Sequence, residues 1–151
     1  FFSQILSHLE QHIFLAIIVG AIITAIIHSG TATIAIAMGF IAGEQLSVLA
    51  GIALMLGSNI GTCVTGYMAS IGAGIEAKLT AYAHIWLNIL GVALFYPFIE
   101  HLLAAAAFFT DEKHVQLAHA SVIFNLICSI ITLPFVKHFS HFIIRLHGKK
   151  V

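Results

Sequence analysis

The sequence predicts an all-α integral membrane protein, and two observations carry this prediction. Of the 151 residues, 60% are hydrophobic and only 8% are charged, whereas an ordinary soluble domain has about 25% charged residues. Apolar runs also recur along the whole chain, unlike the single short run of a secretory signal. Because unpaired backbone groups are costly in lipid and the runs are continuous, each run should form a helix that stays in the bilayer.

Four hydrophobic blocks occupy residues 12–43, 46–72, 79–109 and 115–147. A helix needs about 20 apolar residues to cross the hydrocarbon core, so each block is long enough to span. Lys78 lies between the second and third blocks, while Arg145, Lys149 and Lys150 lie at the end of the chain. By the positive-inside rule, we expect four crossings, with the loop at 73–78 and the C-terminus in the cytoplasm.

The first two blocks are interrupted by polar residues and glycine, in "HSGTAT" from residue 28 and "GSNIGTCVTG" from residue 57. Glycine disfavours a continuous helix by about 1 kcal/mol relative to alanine, and Ser, Thr and Asn can bond to freed backbone groups. We therefore expect two discontinuous or re-entrant helices, broken near 28–31 and 57–62, with the breaks close together. The candidate site residues in these stretches are His28, Ser29, Gly30, Thr31, Thr33, Ser58, Asn59, Gly61 and Thr62.

An internal repeat of 37 residues occupies the second half of the sequence. The segment "AYAHIWLNILGVALFYPFIEH" from Ala81 matches "AHASVIFNLICSIITLPFVKH" from Ala118, and such a period indicates duplicated structural units. Asn88 and Asn125 hold the same place in the two copies, about 14 to 15 Å into their blocks at 1.5 Å per residue. We expect both amides to point inward near the bilayer midplane and to join the site. An Asn that only ties helices together is the alternative interpretation.

Interrupted helices of this kind favour a binding site. Non-helical backbone at membrane depth is tolerated only where protein buries it or where it lines a cavity, and half-helix ends bind ions and substrates in many transporters. For either stretch alone, close helix packing through small residues is the competing interpretation. The presence of both stretches, with Asn59 inside one of them, favours the site.

At these residues the chain resembles the type II sodium-phosphate cotransporters and their bacterial relatives. Residues 20–135 carry the resemblance. "TAIIHSGTATIAIAMGFIAG" is similar to the family's Gln-Ser-Ser-Ser-Ala signature and "LGSNIGTCVTG" to its Gly-Ala-Asn-Ile-Gly-Thr-Thr signature, while "AYAHIWLN" and "LAHASVIFN" look like its Ala-His-x-x-Phe-Asn segments. The departures are His28 for Gln, Gly30 for the middle Ser, Cys63 for the last Thr and Ser121 for His.

The resemblance implies sodium-coupled transport of inorganic phosphate, with sodium as the coupling ion and no other cofactor. It also implies a transporter of two inverted halves with the site between them. The chain carries one copy of each signature, so we expect residues 1–151 to form a single transmembrane domain, the C-terminal half of a longer bacterial plasma-membrane protein. A small subunit that dimerises is the alternative. Re-entrant turns would reconcile four blocks with the odd number of spans that an inverted repeat needs.

The residues themselves suggest how such a site would work. The first two blocks contain no Lys or Arg, and a divalent anion without water or countercharge is very costly to bury. The compensation would come from half-helix N-termini, hydroxyl and amide donors, and co-bound cations. We expect sodium to be bound by oxygens of Ser29, Thr31, Asn59 and Thr62.

Other classes of function are less well supported by the residues. The ten histidines are scattered, without a close pair at the interruptions, which argues against a metal-ion transporter. Transport of another anion and a non-transporting membrane scaffold stay open as alternatives. The six Lys and Arg residues form no long basic patch for nucleic acid. We expect no enzyme, since the acidic residues all lie near block ends, away from any buried nucleophile.

Overall fold

A computed structural model describes residues 2–148, the side chains of residues 2, 3 and 5 excepted, and these residues form helices and no strand. The helices are α1 (Phe2–Gln11), α2 (Ile13–Ile27), α3 (Gly30–Ala42), α4 (Val48–Ser70), α5 (Ile75–Phe95), α6 (Ile99–Ala107), α7 (Lys113–Thr132) and α8 (Val136–His147). Short 3-10 turns at Tyr96–Phe98 and Leu133–Phe135 join α5 to α6 and α7 to α8. Lys149 and Lys150, used in the topology prediction, lie outside the described residues.

The first hydrophobic block does not form a single crossing helix, so the prediction of four crossings is wrong. It forms α2 and α3, whose 15 and 13 residues reach about 22 and 20 Å, short of the roughly 30 Å hydrocarbon core. Three helical segments of the described chain are long and apolar enough to cross a membrane: Val48–Ser70, Ile75–Ala107 and Lys113–His147. The number of candidate spans is therefore odd.

The contacts of small residues show that α2 and α4 run parallel. Gly20 of α2 lies against the backbone of Leu54, and Gly61 of α4 lies against Ala21 and Thr24. Residue numbers therefore increase in the same direction along α2 and α4. α2 packs more extensively against α4 than any other pair of helices packs.

α3 runs back along α4 in the opposite direction. Its first residue, Gly30, lies against Thr62, whereas Ile41 near its end lies against Gly51 at the start of α4. α2 and α3 therefore form a helical hairpin beside α4, with its tip at residues 28–29. This arrangement is re-entrant in kind, as the sequence predicted for the first block.

α4 is unbroken from Val48 to Ser70, so the predicted break at 57–62 is wrong. A Cβ atom at Gly57 would overlap the carbonyl oxygen of Ile17, and one at Gly61 would stand 2.5 Å from the carbonyl oxygen of Ala21. The Gly-x-x-x-Gly spacing thus lets two helix backbones touch, as small-x-x-x-small patterns do in membranes. The packing interpretation was the right one for the glycines of α4.

The predicted 37-residue repeat is confirmed in the second half of the fold. The turn at Tyr96–Phe98 recurs 37 residues later as Leu133–Phe135, and α6 and α8 begin 37 residues apart. Each turn contains a proline, Pro97 or Pro134, which has no N–H for the helical ladder and so interrupts it. Two kinked antiparallel helices result.

α4 is the centre of the molecule. Residues 50–58 are all buried, because α2, α3, α5, α6 and α7 all pack on this helix. Phe124 and Leu117 of α7 complete the core on one side. The polar stretch of α4 that follows residue 57 therefore begins inside the protein.

We predict that Gly57→Ala destabilises the protein while Gly39→Ala does not. The added methyl at Gly57 meets backbone that cannot move aside, and overpacking of this kind costs about 1 to 3 kcal/mol. Gly39 has no neighbour within 4 Å of its Cβ position, so alanine there should be neutral or stabilising through helix propensity. Thermal unfolding of both variants in detergent measures the difference; equal midpoints would contradict the close α2–α4 contact.

Candidate functional site

The predicted break in the first block is confirmed at residues 28–29. His28 ends α2 in the left-handed conformation, with φ 59° and ψ 26°, and its N–H donates to the carbonyl of Thr24. Ser29 is extended and caps α3. A left-handed non-glycine residue costs about 1 to 2 kcal/mol, and such residues concentrate at functional sites.

The N-terminus of α3 presents hydrogen-bond donors at the tip of the hairpin. Oγ of Ser29 accepts from the N–H of Ala32 at 3.2 Å, and the carbonyl of Ser29 accepts from the N–H of Thr33. The N–H groups of Gly30 and Thr31 bond to no other described residue, as expected for the first residues of a helix. Together with the helix dipole, they make this end suited to an anion.

A pair of buried threonines ties the two arms of the hairpin together. Oγ1 of Thr24 donates to Oγ1 of Thr33 at 2.8 Å, and Thr33 donates in turn to the carbonyl of Ser29 at 3.2 Å. Both threonines are buried, so Thr33, predicted as a ligand, holds the turn in this structure. The sequence prediction omitted Thr24; its place one helical turn before His28 was the available signal.

The hairpin tip faces the polar stretch of α4, so the predicted approach of the two interruptions is confirmed. Gly30 packs against Thr62 and lies near Oγ of Ser58, and Nδ1 of His28 lies 3.2 Å from Oγ1 of Thr65. The middle residue of the 23-residue α4 is Asn59. Thr62 and Thr65 are three and six residues further on, about 4.5 and 9 Å along the axis. The tip therefore lies between the midpoint and the C-terminal end of α4.

Several polar side chains of α4 bond to their own helix. Ser58 and Asn59 both donate to the carbonyl of Met55, at 2.7 and 2.9 Å, and Thr62 donates to the carbonyl of Asn59 at 2.7 Å. The stretch is nevertheless helical throughout, because these side chains donate to carbonyls and leave the backbone N–H groups to the helix. Since each hydroxyl proton is used on the backbone, the oxygen atoms of Ser58 and Thr62 are left as acceptors.

The two repeated asparagines do not behave alike. Asn88 is half-buried and donates to the carbonyl of His84 at 3.0 Å, and that carbonyl lies 3.7 Å from the thiol of Cys63 on α4. The thiol of Cys63 donates to the carbonyl of Asn59 at 3.5 Å, so Asn88 reaches the polar stretch.

Asn125, in contrast, has an exposed side chain that donates to Ser121 of its own helix. The prediction that it points inward is wrong within this chain. α7 buries the face that carries Leu117, Ala120 and Phe124, and the residue after Phe124 is turned about 100° away from that face. Thr31 is likewise exposed.

The site contains no full charge. α4 and residues 13–42 include no Lys, Arg, Asp or Glu, and within residues 2–148 no three His, Cys, Asp or Glu side chains gather as they would around a metal ion. The site consists of neutral donors on the hairpin and neutral acceptors on α4. Such a set suits an anion and a hard cation better than a transition metal.

A family model described as Na+/Pi-cotransporter matches residues 1–133. The chain belongs to this family. With its three candidate spans, it is an integral membrane protein, and the resemblance of the two signatures is confirmed.

The curated relatives that match this chain are longer proteins. It is 36% identical to the uncharacterized protein YqeW of Bacillus subtilis (strain 168), over 91% of this chain and 45% of the relative. It is 22% identical to the putative inorganic phosphate export protein YjbB of Escherichia coli (strain K12), over 91% of this chain and 25% of the relative. Over 56% of this chain it is 34% identical to the sodium-dependent phosphate transport protein 2B of Bos taurus, covering 13% of that protein. No solved structure matches the chain. The chain thus spans less than half the length of these relatives.

The hydrogen bond between Thr24 and Thr33 can be tested by substitution. We predict that Thr33→Val costs about 1 to 3 kcal/mol, because it leaves the buried hydroxyl of Thr24 without its acceptor, and that Thr24→Val costs about 1 kcal/mol. The double variant should cost less than the sum of the two. Unfolding free energies in detergent measure this coupling, and strictly additive effects would show that the two hydroxyls do not interact.

Proposed function

We propose that this chain forms part of a sodium-coupled inorganic phosphate transporter in a bacterial plasma membrane. Membership of the Na+/Pi-cotransporter family supports this, as do the printed names of the Escherichia coli and Bos taurus relatives. The observation that carries the proposal is the placement of the free N-terminus of α3 against the polar stretch of α4, with Gly30 next to the methyl group of Thr62 and near Oγ of Ser58, and with His28 bonded to Thr65.

Phosphate binds at the hairpin tip in this proposal. The N–H groups of Gly30 and Thr31 and the hydroxyl of Thr31 are its donors, with the imidazole of His28 beside them. Ser29 orders these groups by capping the helix. Because neither the hairpin nor α4 contains Lys or Arg, the helix dipole and the hydrogen bonds alone would leave much of the anion's charge uncompensated.

Sodium supplies the missing charge. Its ligands are oxygens of Ser29, Thr31, Asn59 and Thr62, an oxygen set that suits a hard cation. The direction of the hydroxyl hydrogen bonds supports a role for α4 in binding sodium. Thr62 donates its proton to the carbonyl of Asn59, so its oxygen can only accept from, or coordinate, a neighbour. Each ion then lowers the cost of binding the other, and coupling follows from electrostatics.

A second half of the transporter, in the same polypeptide or as a dimer partner, covers this site in our proposal. The polar side chains of His28, Thr31, Thr65 and Asn125 are exposed on this chain. Polar groups at membrane depth normally face protein or water, because lipid cannot hydrogen-bond with them. The positive-inside rule applied to Lys78 and Arg145 puts the C-terminus in the cytoplasm.

Flux measurements test the proposed function directly. The full-length protein is reconstituted into proteoliposomes, and radiolabelled phosphate movement is measured in both directions, with and without a sodium gradient. Sodium-driven phosphate flux supports the whole proposal. Phosphate flux that ignores sodium would remove the coupling, and flux of a divalent metal or another anion without phosphate flux would favour the alternative transporters. Absence of any flux would favour a membrane scaffold.

We predict that Thr31→Val and Asn59→Ala each weaken phosphate transport about ten-fold or more. Losing a hydrogen bond to a charged group costs about 1.5 to 3 kcal/mol, whereas a hydroxyl that only packs helices contributes about 0.6 kcal/mol on average. Thr132→Val is the matched control, since within residues 2–148 its hydroxyl bonds only to the carbonyl of Cys128. Apparent affinities for phosphate and sodium within two-fold of the parent, at equal expression, would mean that these polar groups are structural.

Ser29 and Ser47 cap their helices with the same geometry, so comparing their alanine variants separates an effect on stability from an effect on phosphate binding. Ser29 caps α3 by accepting from Ala32, and Ser47 caps α4 by accepting from Ala50. Alanine at either position should cost about 1 kcal/mol of stability. Only Ser29→Ala should also reduce phosphate affinity, because only Ser29 lies at the proposed site. Equal effects of the two variants on phosphate affinity would argue that Ser29 acts through stability alone.

A further inference from the structure

We infer that Thr65 is a positioning residue of the proposed phosphate site, and that it acts through His28. Its hydroxyl donates to Nδ1 of His28 and so holds the proton of the neutral imidazole on Nε2, on the far side of the ring. The inference rests on the proposed function for the identity of the anion. The hydrogen bond itself, 3.2 Å between Nδ1 and Oγ1, belongs to the structure.

The hydroxyl groups of α4 identify Thr65 as the donor. Ser58, Thr62 and Ser70 each give their proton to a carbonyl three residues earlier in the helix. The hydroxyl of Thr65 makes no such bond, and within the described residues its partner is Nδ1 of His28. Its proton is therefore available for the imidazole.

The tautomer of His28 follows from this bond. A neutral imidazole has one N–H, and the bond made at one ring nitrogen sets the role of the other. With Thr65 donating, Nδ1 is the acceptor and Nε2 carries the hydrogen. The opposite arrangement would leave the Thr65 proton with no acceptor among the described residues and would place a lone pair, which repels an anion, on Nε2.

The backbone supports the same geometry. His28 is held in the left-handed conformation between α2 and α3, next to the free N–H groups of Gly30 and Thr31. His28 is exposed, and the ring atom that lies against Thr65 is Nδ1. The Nε2–H group thus adds a third kind of donor to those at the N-terminus of α3, without adding a charge.

A glutamine in place of His28 would provide a donor by itself, because its amide carries two N–H bonds whatever Thr65 does. Thr65 should therefore matter in the parent protein and lose its importance in the His28→Gln variant. This dependence distinguishes a role of Thr65 in positioning the imidazole from a general packing role, since a packing role would not depend on whether residue 28 is His or Gln.

Phosphate transport by five forms of the full-length protein tests the inference: the parent, Thr65→Val, Thr65→Ser, His28→Gln and the double variant His28→Gln/Thr65→Val. We expect Thr65→Val to raise the KM for phosphate about five- to ten-fold with kcat within two-fold, and Thr65→Ser to restore the parent value. The two His28→Gln forms should agree within two-fold. An equal loss from Thr65→Val in both backgrounds would overturn the inference.

Nitrogen NMR of protein labelled with 15N-histidine reads the tautomer directly, and His28→Gln identifies the signal. At a pH at which the ring is neutral, we expect a protonated Nε2 and an unprotonated Nδ1 in the parent and in Thr65→Ser, and a mixture in Thr65→Val. A protonated Nδ1 in the parent would overturn the inference. A parent that neither binds nor transports phosphate fails the proposed function instead, whereas phosphate transport unaffected by Thr65→Val fails only the role of Thr65.

Discussion

Direct contact between the backbones of α2 and α4 positions everything else in this fold. Gly20, Gly57 and Gly61 leave no room for even a Cβ atom between the two helices. Lipid gives two apolar helices no hydrophobic reason to associate, so close packing and hydrogen bonds must hold them together. Once α2 lies at this distance, its C-terminal end at His28 has one position along α4, and the turn that follows is placed against Ser58 and Thr62.

The two polar interruptions contain similar residues, but the first is a break between two helices and the second is continuous helix. The difference lies in the partners of their side-chain hydrogen bonds. Ser29 accepts the N–H of Ala32 and starts a new helix, whereas the side chains of Ser58 and Thr62 donate to carbonyls of the helix that already surrounds them. The break between α2 and α3 is also stabilised by the hydrogen bond from Thr24 to Thr33, which joins the two arms of the hairpin. α4, held against α2 by its glycines, has no reason to unwind.

This difference shows how far the sequence could predict the structure. Apolar length was sufficient to locate the three candidate spans, and the match between the two sequence copies was sufficient for the repeat, because these depend on local rules. The choice between a broken and a packed Gly-x-x-x-Gly stretch depends on a neighbouring helix, and composition does not reveal it. The repeat predicted equal positions along the helix for Asn88 and Asn125, but rotation toward a partner is a tertiary property. Asn88 shares the carbonyl of His84 with Cys63 of α4, whereas the side chain of Asn125 hydrogen-bonds only to its own helix within the described residues. Thr65 belongs to the polar stretch that the sequence indicates in α4, but its role was not predicted, because its contact with His28, 37 residues away, is also a tertiary property.

The placement of protons divides the proposed site into two chemical faces. On α3 the free N–H groups can only donate, while on α4 the hydroxyls of Ser58 and Thr62 have given their protons to the backbone and can only accept. An anion meets donors and a cation meets acceptors, although neither face carries a full charge. Such a neutral site compensates a single ion poorly in a medium of low dielectric constant. It compensates a phosphate with its sodium ions far better, because the ions neutralise each other, so joint binding is the state that this arrangement favours.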